Sequence, residues 1–295
     1  MLARVFLWLT QGSGARRRWL FRNLFELIAR LSGNERGWTF MNYGYAAFGG
    51  PDPRPDLTPE EEVQEVCCAL YDRVASAVPI ADKDVVEVSC GRGGGAAYVA
   101  RHLRPRSMTG IDIAHAAIDF CRNVHVLGNL RFVQGDAESL PLFDESCDAV
   151  VNVEASFCYG DFGRFLDEVH RVLRPGGHFL FADLRFEDEL PEWFAALEGS
   201  GLRLIEQEDI SDNVIRALDL DGLRRERELR RTAPWLLRGP MRTFSGTPGS
   251  RIPVRLATGA MRYYRFVLEK PASVEAAGEK SDLSDQEAEL RLALA

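Results

Sequence analysis

Residues 85–95 read Val85-Val86-Glu87-Val88-Ser89-Cys90-Gly91-Arg92-Gly93-Gly94-Gly95. A short run of mainly β-branched residues leads directly into a turn rich in glycine. The next residues, 96–100, are small or apolar and favour a helix. A strand, a glycine turn and a helix in this order form the first unit of a nucleotide-binding α/β fold. Glycine lets the backbone turn sharply and approach a ligand where a Cβ would collide.

A second element of the pattern is Asp112, which closes the next apolar run. An acid at the end of the second strand of such a fold can accept hydrogen bonds from both hydroxyls of a ribose. The glycine spacing alone does not identify the ligand, because Gly91, Gly93 and Ala96 also fit the dinucleotide fingerprint G-x-G-x-x-G/A. Residues further along the chain are needed to identify the ligand.

From about residue 84, apolar runs alternate with helical patterns. This alternation predicts an α/β fold with a parallel sheet and helical crossovers. The predicted strands lie near residues 84–88, 108–112, 130–133, 147–152, 177–183, 202–209 and 262–269. The predicted helices lie near residues 95–104, 114–125, 161–173 and 189–199 and within 217–231. Upstream, Thr58, Pro59 and Glu61 predict a capped helix start.

Composition excludes several classes of protein. The chain has 295 residues and a net charge of −8, which argues against nucleic acid as a partner. Its six cysteines form no C-x-x-C and have no histidine at metal-ligand spacing, so we expect no metal site and a reducing compartment. No apolar stretch reaches the roughly 20 residues of a transmembrane span. We therefore expect a cytoplasmic protein.

The first 37 residues differ from the rest in charge, with seven arginines against Glu26 and Glu35. Between Trp19 and Leu31 the apolar residues are dense enough for a broad helical face bordered by arginines. Two interpretations are open: a lid packed on the domain, or a helix in weak contact with a membrane surface. The chain divides into a helical lid at 1–79, a main domain at 80–270 and a disordered tail at 271–295.

The third strand is followed by Gly135-Asp136-Ala137-Glu138. An acid at this position can accept a hydrogen bond from an adenine amino group, and Ala137 leaves room for the ring. Together with the glycine turn, Asp112 and the Pro175-Gly176 turn, this ordered set resembles the class I S-adenosylmethionine-dependent methyltransferases. The resemblance covers about residues 80–270. It implies their Rossmann-like α/β fold, with a seven-stranded, mostly parallel sheet, helices on both faces and an antiparallel last strand.

A narrower resemblance rests on residues 87–95, on Asn152-Val-Glu-Ala-Ser-Phe-Cys-Tyr159 and on Ala182-Asp183-Leu-Arg185. These stretches are similar to the phthiotriolone/phenolphthiotriolone dimycocerosate methyltransferase family, whose members O-methylate long lipidic polyketides. The resemblance implies S-adenosyl-L-methionine as the cofactor. In that family pattern, Glu87 and the backbone of the glycine turn bind the methionine amine, and Asp112 binds the ribose. The expected cofactor-binding residues are Tyr43, Glu87, Ser89, Gly91, Gly93, Asp112, Ile113, Asp136, Ala137 and Asn152.

Two positions depart from the family pattern. Ser89 stands where the first glycine is usual, and Phe157 stands where the family commonly has a histidine. Phe157 leaves the identity of a catalytic base open. The candidates are two acids at strand ends, Glu154 and Asp183, with Glu154 preferred.

We therefore expect transfer of a methyl group to a hydroxyl of a small apolar substrate, a polyketide or lipid, in secondary metabolism. Residues 1–45 are expected to cover the acceptor site, with Tyr43 or Tyr45 reaching the cofactor. C-methylation of a terpenoid or similar alkene and a cofactor-binding protein without methyl transfer remain alternatives. A nicotinamide-dependent oxidoreductase is a further alternative, but it leaves Gly135-Asp136-Ala137 unexplained. The oligomeric state is left open, with a homodimer as one option.

Overall fold

The structure is a computed structural model, and it describes residues 14–33, 37–49, 56–232, 238, 242 and 245–272. Two predictions fall partly outside these residues. Residues 1–13 of the expected lid and residues 273–295 of the expected disordered tail are not among them.

The described residues form one seven-stranded sheet. Its strands are β1 (Asp84–Val88), β2 (Ser107–Asp112), β3 (Leu130–Gln134), β4 (Cys147–Val153), β5 (Leu173–Phe186), β6 (Arg203–Asp209) and β7 (Met261–Glu269). The strand order is β3-β2-β1-β4-β5-β7-β6. Among these strands β7 runs in the opposite direction to the other six, so that its pairings with β5 and β6 are antiparallel and the remaining pairings are parallel. The predicted α/β fold with a mostly parallel sheet is confirmed.

The helices in the described part of the chain are α1 (Gly14–Ser32), α2 (Pro59–Glu62), α3 (Glu65–Ala75), α4 (Gly94–Tyr98), α5 (His115–Val124), α6 (Phe162–Val172), α7 (Leu190–Glu198), α8 (Ser211–Thr232) and α9 (Arg251–Ala257). A π-helical turn, Val99–Leu103, continues α4. The predicted capped start of α2 is confirmed, because Thr58 and Glu61 each accept a hydrogen bond from the other's backbone amide. None of the described helices is both long enough and apolar enough to cross a membrane.

Apolar side chains cover both faces of the sheet, as expected for a layered α/β domain. One face packs against α3, α4 and α8, with Leu70, Tyr98 and Leu218 buried there. The other face packs against α6 and α7 through Phe165 and Trp193. Helices therefore cover both faces of the sheet and leave the ends of its strands for a ligand to bind.

The strand order reverses between β1 and β4 in the middle of the sheet, since the chain proceeds outward from β1 through β2 and from β4 through β5. Glu87 pairs with Val151 across this boundary. In open α/β sheets, ligands bind at such a switch point, in the crevice outside the carboxyl ends of the strands. We call this region the switch crevice. The loops that follow β1 and β4 border it.

Candidate active site

The glycine turn after β1 adopts a backbone that requires glycine. The φ angles of Gly91 and Gly93 are +53° and +76°, and Ser89 also lies in the left-handed region. A Cβ on Gly93 would lie 2.8 Å from Sγ of Cys121. A Cβ on Gly95 would lie 2.0 Å from the ring of Tyr71. The turn is thus shaped both by its own conformation and by the close approach of neighbouring side chains.

Glu87 is a buried acid with one free oxygen. Its Oε1 accepts a hydrogen bond of 2.5 Å from the hydroxyl of Tyr71. Its Oε2 is buried and has no hydrogen-bond partner among the described residues. Burial raises the pKa of Glu87 to about 7, although the Tyr71 hydrogen bond opposes the rise. A buried carboxyl of this kind can bind a cationic amine.

Asn152 offers a second buried oxygen at the end of β4. Its Nδ2 donates to the carbonyl of Val88 and to the hydroxyl of Tyr159, each at 2.8 Å. The same hydroxyl lies 2.7 Å from Oγ of Ser89. Oδ1 of Asn152 has no hydrogen-bond partner in the described part of the chain. One hydrogen-bond network therefore joins the ends of β1 and β4. Two acceptors stay available beside it, Oε2 of Glu87 on β1 and Oδ1 of Asn152 on β4.

Asp112 ties the glycine turn to the end of β2. Its Oδ2 accepts from the amide of Gly91 at 2.9 Å, and its Oδ1 accepts from the amide of Ala114 at 2.8 Å. Burial raises the pKa of Asp112 to about 6. Each carboxylate oxygen has a second lone pair, so the two backbone contacts leave room for ribose hydroxyls. Its neighbour Ile113 is partly exposed.

Asp136 lies at the end of β3, beside the buried Ala137. Its Oδ1 accepts from the amide of Glu138 at 3.0 Å, which fixes the carboxyl group. Its Oδ2 lies 3.5 Å from Nη1 of Arg18 in α1, and the same nitrogen lies 3.1 Å from Glu138. The residue expected to meet the adenine edge is therefore covered by an arginine from the N-terminal helix.

The first half of α1 packs on the loop that follows β4. Gly14 lies so close to Gly160 that a Cβ on Gly14 would be 2.1 Å from the Gly160 carbonyl oxygen. Arg17 donates a hydrogen bond to the carbonyl of Phe157. The rings of Phe21 and Phe157 meet edge to face, with centroids 6.1 Å apart. Phe157 thus provides an apolar contact for α1.

The second half of α1 reaches the start of α5. Glu26 accepts a hydrogen bond of 3.2 Å from the amide of Ala116, and Ala29 packs with Ala114 and Ala117. Helix α1 therefore crosses the carboxyl ends of β2, β3 and β4, where the expected cofactor-binding acids Asp112 and Asp136 lie.

Glu154 directly follows β4 and borders the switch crevice. It has a φ angle of +50°, which is uncommon for a residue with a side chain. Its Oε1 accepts hydrogen bonds from the amide of Tyr43, at 2.6 Å, and from the hydroxyl of Tyr263, at 2.9 Å. Burial raises its pKa to about 8, opposed by these two donors and the charge of Arg225 and reinforced by Asp183. This carboxyl is thus held in place and poised to exchange a proton near neutral pH.

Residues 37–49, which include Tyr43, pack into the domain. The carbonyl of Tyr43 accepts a hydrogen bond of 3.0 Å from Arg225, and the amide of Tyr45 donates to the carbonyl of Val66 at 2.9 Å. Both tyrosines are buried. Tyr43 reaches the site through its backbone amide, which contacts Glu154.

Asp183, the second acid considered as a base, has no exposed surface. Its Oδ2 accepts from Oγ of Ser156 at 2.5 Å and lies 3.2 Å from Arg185, while its Oδ1 accepts from the amide of Leu184. Oδ2 also accepts from the amide of Phe157. Because both oxygens are engaged and shielded, the geometry gives Asp183 a structural role, and Glu154 is the better candidate base.

Four contributors to the site were not predicted from the sequence: Arg18, Tyr71, Arg225 and Tyr263. Of these, only Tyr71 has a sequence signal, because the third consecutive glycine, Gly95, makes room for its ring. The other three come from helices or a strand far from the glycine turn in sequence.

The chain is similar to known proteins in sequence and in fold. A family model described as a methyltransferase domain matches residues 86–181. The chain is 41% identical over 261 residues to the phthiotriol/phenolphthiotriol dimycocerosates methyltransferase of Mycobacterium tuberculosis, covering 88% of this chain and 95% of the relative. It is 40% identical over 235 residues to the fatty-acid O-methyltransferase of Mycolicibacterium smegmatis, covering 79% and 84%.

Two solved structures share the fold. The [4+2]-cyclase SpnF has a TM-score of 0.64 and 20% identity, covering 86% of this chain and 96% of the cyclase. Geranyl diphosphate C-methyltransferase from Streptomyces coelicolor has a TM-score of 0.60 and 18% identity, covering 83% and 97%.

The sequence relatives set aside the oxidoreductase alternative, since they cover most of the chain at about 40% identity. The chain belongs to the family of phthiotriol/phenolphthiotriol dimycocerosates methyltransferases and is an S-adenosylmethionine-dependent methyltransferase.

Proposed function

We propose that this enzyme methylates a hydroxyl group of an apolar, polyketide-like or lipid-like substrate. The observation that carries the proposal is Glu154, a carboxyl at the switch crevice that is held by the Tyr43 amide and the Tyr263 hydroxyl. The names of two relatives, which refer to phthiotriol-type lipids and to fatty acids, support an apolar acceptor.

The residues of the crevice fit the cofactor. The unpaired buried oxygens of Glu87 and Asn152 are acceptors suited to the methionine ammonium group. In this proposal Asp112, at the end of β2, would bind the ribose, and Asp136, after β3, would meet the adenine edge. S-adenosylmethionine, when bound, supplies an electrophilic methyl group, and the protein supplies alignment and electrostatics.

In this proposal Glu154 receives the proton of the acceptor hydroxyl. With the cofactor bound, the hydroxyl oxygen would bond to the methyl carbon as the bond from that carbon to sulfur breaks and a neutral thioether leaves. Glu154 would receive the hydroxyl proton on a carboxylate oxygen. A general base is effective when its pKa lies near the working pH, and the pKa of Glu154 is raised to about 8. A positive charge brought near Glu154 lowers that pKa and increases the fraction of carboxylate at pH 7.

Apolar side chains around the same crevice favour a lipid-like acceptor and exclude water. Phe157 follows Glu154 by three residues, and its ring meets Phe21 of α1. Residues 37–49 cover Glu154 through the backbone amide of Tyr43, which donates a hydrogen bond to its carboxyl group. Exclusion of water strengthens the electrostatic interactions that align the reacting groups.

The test is to incubate the full chain with S-adenosylmethionine carrying a ¹³C-labelled methyl group and with three matched long-chain acceptors: an alcohol, a carboxylic acid and an alkene. Mass spectrometry detects the transfer, and NMR locates the label. We expect a labelled methyl ether from the alcohol. Label found only on the acid as an ester, or only on carbon, would overturn the hydroxyl assignment.

A further inference from the structure

Helix α1 has an outward face that no part of the site uses. Its inward side contacts the loop after β4, the acids after β3 and the start of α5, as described above. On the opposite side, Trp19, Leu27 and Leu31 are 64%, 44% and 45% exposed. Large apolar side chains exposed together on one helix mark an interaction surface.

Exposed arginines lie on the same face. Arg16, Arg22 and Arg30 are exposed, and their spacing along the helix places them among the three apolar residues. Helix α1 has five arginines against one glutamate, whereas the whole chain carries a net charge of −8. Arg17 and Arg18 of these five face inward, and Arg30 pairs with Glu26, so the net positive charge of the outward face comes from Arg16 and Arg22.

We infer that α1 docks on an anionic lipid surface through this outward face, which we call the α1 outer face. Tryptophan and leucine with arginine on one helical face suit the boundary between lipid headgroups and acyl chains. Anionic headgroups attract the arginines, and the apolar side chains enter the boundary layer. Because the inward side of α1 crosses the carboxyl ends of β2, β3 and β4, docking would place these strand ends next to the lipid. The inference concerns binding and does not depend on hydroxyl methylation.

The test measures co-sedimentation of the full chain with vesicles made of equal parts of phosphatidylglycerol and phosphatidylcholine. The test variant is Trp19→Ser/Arg22→Glu. The control variant is Phe143→Ser/Arg104→Glu, which changes the same chemical classes at exposed positions near the amino ends of β4 and β2. Phe143 is 88% exposed. Because α1 lies at the carboxyl ends of the strands, the two variants change opposite ends of the strands.

We expect the unmodified protein and the control variant to bind the anionic vesicles equally, and added salt to weaken the binding. The test variant should lose at least about tenfold in vesicle partitioning, because it reverses one charge and removes one aromatic anchor. Its melting temperature should match that of the parent, since neither side chain packs inward.

Absence of parent binding, or equal loss in both variants, would overturn the inference. So would sedimentation velocity showing that the parent forms a dimer that only the test variant dissolves.

Discussion

The hydroxyl of Tyr263 lies 2.9 Å from Oε1 of Glu154, although 109 residues separate them in the chain. Tyr263 is on β7 and Glu154 follows β4, with β5 between the two strands. The amide of Glu154 donates to the carbonyl of Ala182 in that middle strand at 2.9 Å. Three strands thus fix the candidate base, through its backbone and its side chain.

Removing the Tyr263 hydroxyl is expected to shift the pH dependence of turnover. The hydrogen bond favours the charged carboxylate, so Tyr263→Phe should raise the pKa of Glu154 further. Hydrogen bonds to charged groups are worth about 1.5–3 kcal/mol, which corresponds to an upward shift of about one to two pH units in the rising limb of kcat. Tyr264→Phe, the neighbouring residue on β7, serves as the control and should leave the profile in place. An unshifted Tyr263→Phe profile would separate Glu154 from the rate-determining proton transfer.

The two acids considered as bases are expected to fail in different ways. Glu154→Gln should lower turnover by about 10²–10⁴-fold with little change in cofactor affinity. Asp183→Asn should instead destabilise the fold by about 3–5 kcal/mol, because it breaks the buried pair with Arg185. Steady-state kinetics, calorimetric cofactor titration and denaturant unfolding distinguish the two. Near-normal turnover in Glu154→Gln would contradict the proposed proton acceptor.

The raised pKa values predict that stability falls as the pH rises. A buried acid whose folded pKa lies above its unfolded value binds its proton more tightly when folded, so its contribution is complete below the unfolded pKa and is lost as the pH rises through the folded pKa. For Glu154 this window runs from about 4.5 to about 8. At constant ionic strength, Glu154 should therefore make the melting temperature decline from pH 5 to pH 8, against the opposite effect of His125, whose pKa burial lowers. The decline should be shallower in Glu154→Gln, and an equal slope in both proteins would show that Glu154 does not titrate in this range.

The packing of the glycine turn predicts a sharp difference between two glycines. In Gly95→Ala the new Cβ would lie 2.0 Å from the ring of Tyr71, so the ring must move and its hydrogen bond to Glu87 must break. Such overpacking costs about 1–3 kcal/mol. Gly128→Ala is the matched control, because no other atom lies within 4 Å of the place its new methyl group would take. We expect thermal unfolding and cofactor titration to show both losses in Gly95→Ala alone, and equal behaviour of the two variants would contradict this account.

Much of the fold is predictable because its signals are local. Alternating apolar runs predicted the positions of the strands, and the Thr58–Glu61 capping box was visible at its sequence spacing. The starts of β5 and α8 differ most from the predicted ranges. Strand β5 begins at Leu173, because Leu173 pairs with Cys147 before an irregularity in the ladder. Helix α8 begins at Ser211, whose amide donates to the side chain of Asp209.

The site is predictable only in part, because its partners meet through topology. The strand-end acids follow from the fold pattern, since carboxyl ends of parallel strands share one edge. The contacts of Glu154 with Tyr43 and Tyr263 bring together an N-terminal segment, the middle of the chain and the last strand. The engagement of Oδ2 of Asp183 depends on Ser156 and Arg185, whose contacts with it follow from the fold rather than from a sequence motif.

The insertion of β7 between β5 and β6 has a consequence for the order in which the enzyme is assembled during synthesis. Strands β5 and β6 each bond to β7, which is the last of the described strands to leave the ribosome, and they do not pair with each other. Until it arrives, both present open edges that can pair with other chains. Tyr263 arrives with the same strand. Prematurely terminated chains that lack β7 would therefore combine an unsupported Glu154 with exposed strand edges, so that loss of activity and a tendency to aggregate have one structural origin.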